Sequence, residues 1–296
     1  MAYGNQHIIV NTSNKIRGVR FDRYLPRLQH TPEASSGSVH HTAHHFQGQA
    51  PVHRFLSTDL QTLATLCSGN ADAPCVAISD YTWHEALASG AAPGYVAGAN
   101  HRKHALAAGV LAIDSISWRH GDHMLLGATA FTKSADGTTD PRTTTDNVSL
   151  PTPEIWTSGY RPTAATFDGG AVTTGCEGLQ IDIDHRIENN IPGICRSLGL
   201  PLPTALAMAG TNGAVLVSGM IDLHDVTLAP STGDLSITCT EVDSGGHLLS
   251  DTVVIAVNAE VVPVCEIGGE SGRPRAVRCA FYGIDDGVNK QITITP

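Results

Sequence analysis

The sequence predicts a mainly β chain with one short helix in each half. Many short stretches alternate apolar with polar residues or are rich in β-branched side chains. Thirty glycines and 16 prolines in 296 residues supply turns at short intervals. Helical periodicity is brief wherever it occurs.

Strands are expected over 6–11, 15–28, 73–79, 110–118, 123–132, 179–187, 214–223, 235–242, 252–264, 276–282 and 291–295. Hairpin turns are expected at Gly121-Asp122, at Ser231-Thr232-Gly233 and at Ser244-Gly245-Gly246. The clearest strand runs from Leu179 to Ile187. Leu179, Ile181, Ile183 and Ile187 share one face, and Gln180, Asp182, Asp184 and Arg186 share the other. That strand has a dry side and a wet side. The first helix opens at Ser57-Thr-Asp-Leu, where a hydroxyl cap and an early carboxylate precede Leu60, Leu63, Leu66 and Cys67. Residues 83–89 and 101–108 add a turn or two each. Residues 204–209, behind Pro203, form the counterpart in the second half. Residues 133–163 are polar, dotted with proline and without period, so they read as an exposed linker near the midpoint. The division that follows is residues 1–150 and residues 151–296. No residue-by-residue repeat relates the two, so tandem duplication is an expectation about architecture alone.

Composition narrows the function classes. Charged residues make up 16%, against about 25% in ordinary globular domains. A disordered chain needs the opposite balance, whereas a surface partly covered by copies of itself fits. Aromatics at 5% provide no platform for stacking single-stranded bases. Residues 1–150 hold 11 basic and 11 acidic side chains, and residues 151–296 hold 7 and 17. The whole net charge of −10 thus belongs to the second half. Such a chain does not grip phosphate. Seven cysteines without CxxC spacing read as reduced, buried thiols of a cytoplasmic product. No signal peptide is expected from the opening Met-Ala-Tyr-Gly-Asn-Gln-His. The uncharged run 197–221 is broken by Pro201, Pro203, Gly210 and Gly213, so no membrane span is expected.

Histidine is the most conspicuous residue. Twelve of the 15 precede residue 124, and His40, His41, His44 and His45 fall at helical spacing. Imidazole suits zinc, copper or nickel, which makes these four the candidate metal ligands. The flanking run carries one acid, Glu33, the ligand set itself lacks a partner acid, and there is no HExxH. The competing reading is a polar loop or an intersubunit surface, and no metal or other cofactor is assigned. No nucleophile elbow, Walker loop or strand-bound GxGxxG is present. No catalytic residue is assigned, and no enzyme is expected.

The segment Thr163-Ala-Ala-Thr-Phe-Asp-Gly169-Gly170-Ala-Val, followed by Glu177-Gly178-Leu-Gln-Ile-Asp-Ile-Asp-His-Arg-Ile-Glu188-Asn189-Asn190, resembles the tail tube (major tail) proteins of long-tailed bacteriophages. A weaker echo is Lys15-Ile-Arg-Gly-Val-Arg-Phe-Asp-Arg-Tyr-Leu. The close match covers about a tenth of the chain. The resemblance implies β-sandwich or barrel domains with a short helix each, two in tandem. It implies a ring of three two-domain chains, or of six chains, with a continuous inner barrel. Rings stacked head to tail make a conduit through which double-stranded DNA passes without specific binding, in a virion tail assembled in a bacterial cytoplasm alongside other tail proteins. It brings no catalytic residues. The His-rich residues 30–53 have no counterpart in that pattern. Asp182, Asp184 and Glu188 are the acidic candidates for the lumen. Other β-rich virion assembly proteins (distal tail, tail terminator, capsid decoration) and a His-ligated metalloenzyme are the alternatives.

Overall fold

The computed structural model describes residues 7–10, 14–21, 25–34, 41–68, 73–86, 101–136, 139, 141–149, 158–168, 170–173, 176–185, 187–190, 205–208, 215–224, 230–267, 276–285 and 290–296. Twenty strands and one helix occupy them. The first half holds β1 (His7–Val10), β2 (Asn14–Phe21), β3 (Leu25–Ala34), β4 (His41–Ser57), α1 (Leu60–Cys67), β5 (Cys75–Ile78), β6 (Tyr81–Ala86), β7 (His101–Leu106), β8 (Gly109–Arg119), β9 (Leu125–Thr132) and β10 (Arg142–Val148). The second holds β11 (Ser158–Phe167), β12 (Gly170–Thr173), β13 (Cys176–His185), β14 (Ile187–Asn190), β15 (Ala205–Met208), β16 (Val215–His224), β17 (Ser231–Asp243), β18 (Leu248–Ile267), β19 (Ala276–Gly283) and β20 (Ile292–Thr295). The chain is mainly β, as its alternation requires.

Eighteen strands pair antiparallel into one large sheet, and β14 and β15 form a separate hairpin. The ladder runs β10–β7–β6–β1–β2–β4–β9–β8 through the first half. It continues β13–β16–β19–β18–β17–β11–β12 through the second. β3 extends the edge that β2 begins on β4, β5 shares an edge of β8 with β13, and β20 shares an edge of β18 with β19. The join across residue 150 is the pairing of β8 with β13, Asp182 opposite Ser115 through Gly178 opposite Arg119. Among the described residues the ladder ends at β10 and at β12 and closes no barrel.

A period of two sorts each strand into a dry and a wet side. Ile116, Ile181, Phe281 and Val261 lie in one buried row across β8, β13, β19 and β18, with Gly219 of β16 between Ile181 and Phe281. Val253, Ile255, Val257 and Ala259 continue the buried side along β18. These side chains belong to a single cluster with residues from the first half, among them Val10, Phe55, Leu111 and Leu126. α1 lies against β2, β5, β8, β18 and β20, so one helix serves strands on both sides of residue 150. It buries Leu60, Leu63, Ala64 and Cys67, the i, i+3, i+4, i+7 stripe. Asp59 is its cap, accepting from the Thr62 N–H at 3.1 Å, and Ser57 Oγ accepts from the Asp59 N–H at 3.0 Å. The hydroxyl therefore braces the cap rather than being it.

Several expectations are corrected. α1 is the single helix among the described residues, so the picture of one per half does not hold. Residues 205–208 form β15, because a short Ala/Leu/Met run cannot offset helix nucleation when a strand is available to pair with it. Of the helical turns expected at 83–89 and 101–108, residues 83–86 and 101–106 instead belong to the antiparallel pair β6 and β7, and 87–89 lie outside the described residues. The linker 133–163 contains all of β10 and the start of β11. The Thr-Thr-Thr segment of β10 is β-branched, and pairing with β7 supplies its order. Ser231-Thr232-Gly233 lies inside β17, opposite Val261, Glu260 and Ala259. The turns at Gly121 (φ 90°) and Gly246 (φ 82°) stand where expected. No described helix is long and apolar enough to cross a membrane.

Candidate functional site

The wet side of β13 opens onto a broad exposed face. Across it, one row reads Ser115, Asp182, Ser218, Tyr282, Glu260 and Thr232, contributed by β8, β13, β16, β19, β18 and β17. The next row reads Ser117, Gln180, Met220, Ala280 and Val262. Beyond it come Arg119, Gly178, Asp222, Arg278 and Cys265. On the other flank Asp184 lies opposite Leu216. Asp182 and Asp184 are both exposed, two residues apart, as the alternation predicts. Glu188 is not beside them. It sits on the separate β14–β15 hairpin, opposite Ala207.

The electrostatics of this face are lopsided. Asp182 accepts a hydrogen bond from Gln180 Nε2 at 2.9 Å. Arg278 is occupied by Asp222 through two bonds, Nε to Oδ1 at 2.7 Å and Nη2 to Oδ2 at 2.9 Å. A bidentate pair of this kind satisfies the guanidinium fork, so Arg278 presents little positive charge outward. Arg119 stands at the margin, and Asp182, Asp184 and Glu260 are the other charges of these rows. Set among them are Leu216, Met220 and Tyr282, which are 46%, 46% and 55% exposed. Sequence reasoning did not find those three. Val215-Leu-Val-Ser-Gly-Met-Ile-Asp-Leu is apolar at both parities and reads as a strand buried on both sides.

The histidines fall into two groups. His41, His44 and His45 lie on β4, a strand where their spacing suggested a helix, opposite Ala34, Pro32 and Thr31 of β3. His40 is outside the described residues. No group of three or more His, Cys, Asp or Glu among the described residues could hold a metal ion. Four other histidines are core residues: His53, His84, His101 and His104 are all buried. Trp83 lies between two of them, its ring 4.1 Å from His53 and 4.7 Å from His104, with planes 10° and 13° apart. His53 Nδ1 and the Tyr81 hydroxyl are 2.6 Å apart. Burial pushes the Tyr81 phenol well above its usual range, so it remains a neutral hydroxyl.

Several thiols and phenols of the described residues are held neutral by burial. Burial raises the Cys67 and Cys239 thiols, and that of Cys176 is pushed up to about 12, which leaves them protonated and poorly nucleophilic. Burial also raises the Tyr160 phenol, with the Glu241, Asp251 and Asp59 carboxylates adding to it. These groups pack the core. What the exposed face can do is repel polyanions and adhere, through its apolar residues, to another surface. No family model matches the chain, and no curated protein matches it.

Proposed function

We propose that the chain is a structural subunit of a bacteriophage tail tube, assembling with copies of itself into stacked rings that conduct double-stranded DNA. The observation that carries this reading is the open ladder. Among the described residues eighteen strands join without closure, and the ladder ends at β10 and β12, whereas open sheets beyond about ten strands are uncommon in isolated domains. Self-association offers such a sheet a way to cover its edges. The resemblance over residues 163–190 supplies the identity of the assembly, and the weak charge of the surface suits repeated contacts between copies.

The tandem reading belongs to the same proposal. Residues 1–150 and 151–296 act as two tube domains, and three chains then build one ring. Head-to-tail stacking of rings does not close and yields a filament. Asp182 and Asp184 are offered as part of the lumen wall. A conduit works by not holding its cargo, since each lysine or arginine on a phosphate adds attraction, while carboxylates keep the duplex centred. Other tail proteins are the remaining partners, and the site of action is the virion tail, assembled in the host cytoplasm. Negative-stain microscopy of the purified chain tests this. Tubes or stacked rings are expected. Isolated closed rings would favour a terminator or distal tail role, and a dispersed monomer at all concentrations would reject the assembly.

A further inference from the structure

β8 offers one edge to two strands in succession. β5 pairs with it as far as Ala112, opposite Cys75, and β13 takes over at Ser115, opposite Asp182. Ile113 lies in the gap, next to an irregularity in the β8–β9 register. Its N–H donates to the Pro74 carbonyl at 3.0 Å. Its carbonyl oxygen is 2.6 Å from Nε2 of His185, the last residue of β13. A side chain thus completes the seam where a strand would otherwise run out.

Donation to a carbonyl places a proton on Nε2 and, in the neutral ring, leaves a lone pair on Nδ1. Nδ1 is sealed from solvent and has no hydrogen-bond partner among the described residues. A second proton there would be buried with no acceptor. The charged groups facing the ring are Asp184 on its own strand and Asp114 on β8. Asp114 is itself held by Thr129 Oγ1 of β9 at 2.5 Å. β16 places Val215 and Leu216 opposite this end of β13, and β5 begins at Cys75, opposite Ala112. Burial, the larger influence, lowers the pKa of His185 below the ordinary imidazole value; the bond to Ile113 and the two carboxylates oppose it.

We propose that His185 is a proton-operated latch on the β8–β13 seam: the neutral ring closes the edge of β8 at Ile113, and the charged ring releases it. Because the folded pKa is depressed, the latch contributes fully above the unfolded value of about 6.5 and is lost as pH falls through the folded value. Hydrogen exchange of the full chain at pH 7.5 and 5.5, corrected for intrinsic rates, reads it. Protection of amides 115–119 and 178–182 falls on acidification, by at most about tenfold per pH unit for one linked proton, while the β17–β18 ladder holds. His185→Gln keeps an N–H donor and takes no proton, so its seam responds much less. Equal loss in both proteins, or no selective loss in the wild type, overturns the latch. Should the variant not fold, imidazole NMR of the wild type decides. A neutral Nε2–H ring titrating below 6.5 supports the latch, and titration at or above 6.5 overturns it.

Discussion

Replacing Gly219 with alanine probes how tightly β16 is set between its neighbours. Gly219 stands opposite Ile181 of β13 and Phe281 of β19, in the row that faces the core. A methyl group there would press on the Gln180 carbonyl oxygen and on Cζ of Phe281, and would come within 2.8 Å of Phe281 Cε2. Neither obstacle yields easily. The carbonyl belongs to a strand held by β8 and β16, and the Phe281 ring is fully buried. Overpacking of a rigid site costs about 1–3 kcal/mol, and two immobile neighbours place Gly219→Ala in the upper part, about 2–3 kcal/mol. At about 2–4 °C per kcal/mol for a protein of this size class, thermal unfolding followed by circular dichroism should fall by about 4–12 °C. Phe281→Leu relieves the ring contact but opens a cavity, so the double variant should lose less than the sum of the singles. A Gly219→Ala protein within about 0.5 kcal/mol of wild type would refute the packing assigned to this row.

Further outcomes follow from other parts of the fold. Leu63→Ala removes a fully buried side chain from α1 and should cost about 2–5 kcal/mol in urea unfolding; a loss below about 0.5 kcal/mol would mean the helix is not part of the core. Cys265 is exposed, Cys176 is half-buried with its thiol pushed up to about 12 by burial, and Cys67, Cys75, Cys239 and Cys279 are buried. In a Cys195→Ser protein, Ellman's reagent should therefore find one fast thiol in the native state, absent after Cys265→Ser. Several fast thiols would contradict the burial. The Asp243 carboxylate accepts from the backbone N–H groups of His247 and Gly245, both at 2.8 Å, and from the His247 ring at 3.1 Å, which holds it below the usual carboxylate range. Its stabilisation is present above the unfolded value near 4 and lost as pH falls through the lower folded value. Asp243→Asn should show a shallower acid loss below about pH 4, and an unchanged acid profile would count against it.

Strands with one wet side were legible in the sequence, since burial on one face leaves a period of two. β13 shows this most cleanly, which is why Asp182 and Asp184 could be placed on the exposed face beforehand. Segments whose order comes from a distant partner were not legible. β10 is threonine-rich but without alternation, β6 is only six residues long and runs Tyr-Thr-Trp into His-Glu, and β7 opens His-Arg-Lys-His, a composition that does not suggest a core strand. Their structure depends on pairing with each other and on stacking of the His53, Trp83 and His104 rings. His185 reads in sequence as one more residue at the end of an alternating strand. Its place at Ile113 depends on where β5 stops along β8, which no local pattern encodes. The exposed Leu216 and Met220 were hidden for the opposite reason, because apolar residues at both parities mimic a strand buried on both faces.

The mass of the smallest assembled particle tests self-association through two tandem domains most directly. Native mass spectrometry should find a unit of three chains of 31.1 kDa, about 93 kDa, or stacks of that unit. A unit of six chains would leave the ring standing but contradict the tandem division, and a species that stays at 31.1 kDa under all conditions would contradict the tube itself.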